Sequence, residues 1–298
     1  MNVWGIDLGG TKIEGAILDP ANPTEARTRL RVPTEAHLGY DHVIAQITKL
    51  VGMLEAEAGT SRPPIMGFGT PGTTEPSTGA MKNCNTTCLN GRMLGADLSA
   101  ALQLEARLAN DANCFALAEA TLGAAKGRRV VMGLILGTGV GGGIVVDRKV
   151  LNGCHGIAGE WGHNPVLGET TPCYCGRVGC VETVIAGPSL ERFYREHSGR
   201  KADLRTIVGL SSRDPSAVAT LERLRAKFGE TIAAVINILD PDAIVIGGGV
   251  GNLDLLYTQE TRRAVVRHLF NPDVKTEFLR PALGDSAGVF GAAMLAVG

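Results

Sequence analysis

VWGIDLGGTKIEGAIL, residues 3–18, sets the fold: two apolar runs, Val3 to Leu8 and Lys12 to Leu18, flank the turn Gly9-Gly10-Thr11. Glycines between strand-like runs predict a β-hairpin. The plan recurs in VMGLILGTGVGGGIVV, residues 131–146, where Gly137-Thr138-Gly139 stands between Val131–Leu136 and Gly141–Val146. Two copies this far apart predict an internal duplication in which each hairpin opens one lobe. Between them, Val43, Ile44, Ile47, Leu50, Val51 and Leu54 form one helical stripe within residues 42–58, and residues 113–125 are rich in Ala and Leu. Later, Asp214-Pro215 predicts the start of a long helix reaching Leu239, Ala243–Ile246 a short strand closed by Gly247-Gly248-Gly249, and a last helix follows Asp285. Alternating strands and helices give an α/β class.

Composition narrows the function classes. The formal net charge of −1 offers no basic surface for nucleic acid or an anionic membrane. Residues 130–146 are the most apolar stretch, and their glycines break them below the length of a membrane span. The N-terminal residues do not read as a secretory signal, so a cytoplasmic protein is expected. Seven cysteines, three of them crowded into 173–180, suit metal ligation in a reducing compartment better than a disulfide framework.

Three segments approach the Gly-x-Gly-x-x-Gly pattern of dinucleotide sites: Gly67–Gly72, Gly137–Gly142 and Gly247–Gly251. That fingerprint needs a helix beginning at the loop. Gly142 leads into a strand and Gly72 into a loop, so a dinucleotide fold is disfavoured, and no Walker-type P-loop sequence occurs. Hairpin turns can still hold phosphates, because glycine lets backbone N–H groups converge on an anion while the hydroxyls of Thr11 and Thr138 add donors. Asp7 strengthens that reading for the first hairpin. A carboxylate inside an apolar strand is costly without a partner, and hydrated Mg²⁺ on a nucleotide is one; the matching residue of the second hairpin is Ile135.

Asn110-Asp111 follows the apolar run 106–109 and precedes a helix. Asp111 there is either an N-cap or, at the mouth of a sheet, a base that accepts the proton of an attacking hydroxyl. Glu160-Trp161-Gly162-His163 is followed by Cys173, Cys175 and Cys180. One imidazole and three thiolates form the donor set of a closed, structural zinc site, and Gly176 and Gly179 permit the chain reversal between sulfurs. A zinc-bound His163 would keep one ring nitrogen for a substrate hydroxyl, with Glu160 and Glu182 accepting from its neighbours. Cys84, Cys88, Cys114 and Cys154 are scattered, and the remaining histidines have no comparable company.

At Asp7–Lys12, Asn110–Cys114, Gly137–Gly143, Glu160–His163 and Cys173–Glu182 the chain resembles the bacterial sugar kinases of the ROK family along essentially its whole length. The resemblance implies the actin-like ATPase (ribonuclease H-like) fold, with an active-site cleft between two lobes. With the boundary placed by the repeat alone, residues 1–115 would form the small lobe, joined by the C-terminal helix 285–298, and residues 116–284 the large lobe, with a zinc-binding segment at 163–180. Asp111 would be the general base, and Gly72, Asn85, Asn110, Glu160, His163 and Glu182 would hold the sugar. His163, Cys173, Cys175 and Cys180 would hold zinc. Asp7, Gly9, Gly10, Thr11, Lys12, Gly137, Thr138, Gly139, Gly247, Gly248 and Gly249 would hold MgATP, and a homodimer is implied. Residues 82–91 look like the fructokinase or mannokinase branch and residues 131–136 like the N-acetylglucosamine kinase branch. Because 82–91 should lie nearer the sugar, fructose is the expected substrate, with N-acetylglucosamine or glucose as alternatives. A sugar-responsive repressor is the rival from another class; the first strand begins at Val3, leaving no room ahead of it for a DNA-binding helix.

Overall fold

The computed structural model describes residues 2–19 and 22–297; Gly298, the end of the expected C-terminal segment, lies outside them. The first strands are β1 (Val3–Leu8), β2 (Lys12–Asp19), β3 (Asn22–Pro33) and β4 (Ile65–Thr70), followed by the short pair β5 (Thr73–Thr74) and β6 (Met81–Lys82) and by β7 (Glu105–Asn110). The later ones are β8 (Val130–Leu136), β9 (Val140–Val146), β10 (Lys149–Val150), β11 (Ala243–Gly247) and β12 (Glu277–Leu279). Two five-stranded sheets result, ordered β3-β2-β1-β4-β7 and β10-β9-β8-β11-β12. In the first, β1, β2 and β3 are antiparallel while β4 and β7 run parallel to β1. In the second, β10 is antiparallel to β9 and β8, β11 and β12 are parallel. One strand order built twice is the structural form of the repeated hairpin.

The chain divides into two compact units, Met1–Gly127 with Gly143–Ala158 and Ala282–Gly298, and Arg128–Gly142 with Gly159–Pro281. In the first, helix α1 (Tyr40–Ala58) buries Val43, Ile47, Leu50, Val51 and Leu54 in a core shared with Trp4, Ile6, Ile13, Ile17, Met66 and Phe68. Helix α2 (Leu94–Leu102) adds Leu94, Leu98 and Leu102. Helix α3 (Asp111–Thr121) is buried on nearly every face, which explains its weak helical periodicity. Residue 115, the boundary read from the repeat, lies inside α3, which stays whole with the first unit. It packs on the C-terminal helix Ala287–Leu295 so closely that a Cβ on Gly291 would stand 1.8 Å from the Cys114 carbonyl oxygen. In the second unit the long helix Pro215–Leu239 starts on its Asp214 cap, whose carboxylate accepts from Ser216 N–H. Its Leu224, Phe228 and Ile232 are buried, as are Ile244, Val245 and Ile246 of β11.

Two local readings change. Gly72 leads into the β5–β6 pair, not a plain loop. Helix α3 starts at Asp111 and ends at Thr121, earlier at both ends than residues 113–125, because Asn110 caps it. Neither Gly67–Gly72 nor Gly137–Gly142 opens a helix; β9 begins within the latter, at Val140.

Candidate active site

In the first unit the turn after β1 is braced from outside. Thr34, fully buried, donates its hydroxyl to Gly9 O at 2.7 Å and its N–H to Thr11 O at 3.0 Å. The turn therefore keeps its shape without spending the backbone groups of Gly10. Gly9 and Gly10 line a cavity of about 490 Å³ together with Asp7, Asn85 and Asp111. Thr11 and Lys12 are exposed and do not line it; Lys12 lies 3.7 Å from Glu14. At the β4 end the lining residue is Pro71, whereas Gly72 is packed behind it, where a Cβ would meet Cys84 Sγ at 2.5 Å.

Asn110 and Asp111 divide two tasks that the sequence left open to one residue. The Asn110 side-chain oxygen accepts from Asn113 N–H at 2.8 Å and caps α3. Asp111 is thereby the first helical residue, its Oδ1 accepting Ala112 N–H at 2.8 Å, and its carboxyl faces the cavity. An acid at this position also suits the positive end of the helix. Burial raises the Asp111 carboxyl above its ordinary value, against the lowering effect of the N–H groups of Ala112 and of Asp111 itself. For Asp7 burial comes first and the Asp111 charge second, with Glu14 adding to them and Lys12 opposing; together they lift it from 3.8 to about 6. Gly69 and Gly288 leave the carboxyl of Asp7 its room, since a Cβ there would stand 3.3 Å from Oδ1 and 2.8 Å from Oδ2. Two carboxylates repelling each other in a glycine-walled cavity fit a hydrated divalent cation.

The second unit holds the other candidates. Trp161 anchors the 3-10 turn Trp161–His163: its ring is buried edge-on against Phe228 at 6.3 Å and its Nε1 donates to Thr231 O. Glu160 precedes that turn. His163, Cys173, Cys175 and Cys180 bring four ligand atoms within 4.8 Å of one another. Cys173 Sγ lies 3.6 Å from His163 Nδ1, and Cys175 Sγ lies 3.6 Å from Cys180 Sγ. Tetrahedral zinc with bonds of about 2.3 Å needs sulfurs about 3.8 Å apart, so the donor set fits that ion. Burial pushes the Cys180 thiol up to about 12, so a metal held by its thiolate would release that proton on binding. We expect close to one zinc per chain by elemental analysis, and chelation should expose residues 163–180 to proteolysis; a metal-free protein equally resistant would remove zinc from the account.

His163 Nε2, the nitrogen expected to stay available for a sugar, already contacts the Tyr174 hydroxyl at 3.0 Å. Glu182 Oε2 accepts from Val140 N–H at 2.9 Å, tying it to the second hairpin. A Cβ on Gly137 or Gly249 would meet nothing within 4 Å, and neither has a positive φ. Their lack of a side chain serves neither packing nor conformation, and fits close approach of a ligand to the backbone. Gly248 differs: φ is 84° and a Cβ would strike Leu136 O at 2.3 Å, so its glycine shapes the turn.

A model of the ROK family matches residues 3–298. The chain belongs to the ROK family. An N-acetyl-D-glucosamine kinase of Citrobacter koseri is 37% identical over 98% of this chain and 98% of its own length. An N-acetylgalactosamine kinase of Shewanella sp. is 34% identical over 99% of this chain and 96% of its own. Among solved structures, a ROK hexokinase from Thermus thermophilus superposes with a TM-score of 0.88 at 34% identity, covering 100% of this chain and 98% of that one. This ROK chain therefore has the actin-like ATPase fold expected from its motifs. Sequence reasoning missed Leu8, Ala36, His37, Pro71, Thr86 and Thr87 as cavity lining, while Cys88, read as a core or pocket-lining thiol, does line it; adjacency to Asp7 and to Asn85 was the available signal for Leu8, Thr86 and Thr87.

Proposed function

We propose that this ROK-family sugar kinase transfers the γ-phosphoryl group of MgATP to a hydroxyl of an N-acetylated hexosamine, N-acetylglucosamine first. The observation that carries the reading is the cavity in which Asp7 and Asp111 meet the Gly9-Gly10 turn and Asn85. Asp111 accepts the proton of the sugar hydroxyl as its oxygen attacks phosphorus, and the backbone N–H of Gly10 donates to a phosphate oxygen, that of Gly9 being held by Lys12 O. Asp7 would hold the hydrated magnesium ion of the nucleotide, which would supply charge neutralisation for the phosphates. Asn85, Asn110, Glu160, His163 and Glu182 are assigned to the sugar, and Gly137 and Gly249 to the nucleotide. The cysteines and His163 would hold zinc as a structural ion, because four protein ligands leave no open position.

The fructose preference expected from residues 82–91 gives way to the acetamido sugars because relatives over one third identical along nearly the whole chain act on those. Fructose stays as a second reading, since Asn85 and Cys88 of that segment line the cavity. ADP release measured across N-acetylglucosamine, N-acetylgalactosamine, glucose, mannose and fructose should rank an N-acetylhexosamine first in kcat/KM by about tenfold or more. Fructose ranked first would overturn the substrate assignment and leave the reaction class intact.

For His163 to serve the sugar, the phenol of Tyr174 must give up Nε2. Tyr174→Phe removes that competitor, so the sugar KM should fall about threefold with kcat little changed. A KM that rises instead would make the Tyr174 hydroxyl itself a sugar contact.

A further inference from the structure

Thr86 is 5% exposed, and its Oγ1 has no hydrogen-bond partner among the described residues. It precedes the 3-10 turn Thr87–Leu89 in the capping position, yet its side chain makes no cap; only its carbonyl is used, accepting Leu89 N–H at 3.1 Å. A buried hydroxyl without a partner loses its water and gains nothing in return, so folding gives no reason to keep one. Its surroundings give another. Thr86 lines the cavity of Asp7, Gly9, Gly10, Asn85 and Asp111, and a Cβ on Gly10 would stand 3.7 Å from its Oγ1. The hydroxyl therefore lies beside the turn assigned to phosphate, one residue after an asparagine assigned to the sugar. Two carboxylates dominate the cavity, and neither can donate a hydrogen bond when ionised.

We propose that the Thr86 hydroxyl is a catalytic donor to a non-bridging oxygen of the phosphoryl group in transfer. This rests on the kinase reading above. In that step the sugar oxygen forms a bond to phosphorus, the bond from phosphorus to the bridging oxygen of ADP breaks, and Asp111 takes the sugar proton. ADP leaves with the electron pair, and the Thr86 O–H bond stays intact. A donor of this kind is useful in proportion to the charge that builds on the phosphoryl oxygens, so its loss should appear in kcat.

Thr86→Val keeps the shape and removes the hydroxyl, while Thr86→Ser keeps the hydroxyl. With saturating sugar and MgATP, T86V should lose turnover by about 30- to 300-fold, with sugar Kd by calorimetry unchanged. T86S should recover most of the turnover. The melting temperature of ligand-free T86V should equal or exceed that of the parent, because no protein partner is lost. Parental kcat in T86V, a loss confined to sugar Kd, or a clear drop in its melting temperature would each overturn the proposal. A parent chain that phosphorylates no sugar would overturn the kinase reading and this inference together, whereas failure of the variants alone leaves that reading standing.

Discussion

Asp111→Asn is expected to lower sugar phosphorylation by about 10²- to 10⁴-fold, the range of a lost general base, while sugar still binds. The fold gives reason to expect an intact protein. Asn110, not Asp111, caps α3, so the helix start does not depend on the substituted carboxyl. The amide oxygen of the new side chain can still accept Ala112 N–H, the bond made now by Asp111 Oδ1. What disappears is the ability to take a proton, together with a charge whose burial is unfavourable. Calorimetry should therefore report a sugar affinity within a few-fold of the parent, against a turnover near background. Turnover undiminished in D111N would remove Asp111 from its role, and loss of sugar binding together with activity would recast it as a binding residue.

Asp7→Asn should separate stability from activity. The Asp7 carboxyl titrates at about 6 in the fold against an ordinary 3.8, so the ionised form is the disfavoured one. Below pH 3.8 both states hold the proton and the group costs nothing. Between 3.8 and 6 the unfolded chain gives up its proton while the folded chain keeps it, so stability falls as pH rises. Above 6 the whole penalty stands, on the order of 3 kcal/mol at 1.36 kcal/mol per pH unit. The neutral amide escapes it, including the part that comes from repulsion with Asp111. Ligand-free D7N should melt several degrees above the parent at pH 7.5, the difference shrinking toward pH 4. Its turnover with MgATP should drop by about 10²-fold or more. In the parent, magnesium nucleotide binding near pH 6 should release protons, measurable in buffers of different ionisation enthalpy. A D7N protein that melts below the parent at neutral pH would contradict the assigned penalty.

How much of this the sequence carried depended on distance along the chain. The hairpins at residues 3–18 and 131–146 were legible because strand, glycine turn and strand are contiguous; their recurrence pointed to a duplication, and the two sheets share one strand order. The Asp214-Pro215 start of the long helix was legible as a local cap. Helix α3 was less so: buried on nearly all faces, it shows no apolar stripe, and its start rests on a choice between two adjacent capping residues. The candidate zinc ligands could be read because sulfur and imidazole within eighteen residues have few other uses, and the four residues do converge. Thr86 could not be read, since an unpartnered hydroxyl is defined by everything that fails to approach it. Nor could the contact of Tyr174 with His163 Nε2 be foreseen, because it depends on which ring nitrogen faces the thiols. The expectation of fructose came from one ten-residue segment, and relatives named for N-acetylated hexosamines along nearly the whole chain favour the alternative, N-acetylglucosamine.

Phosphorus-31 NMR of the parent chain incubated with N-acetylglucosamine and MgATP tests the central claim most directly. The account predicts a sugar phosphomonoester appearing in step with ADP and no orthophosphate beyond the enzyme-free control. ADP accumulating with orthophosphate, or a spectrum of unchanged ATP across all five sugars, would contradict it.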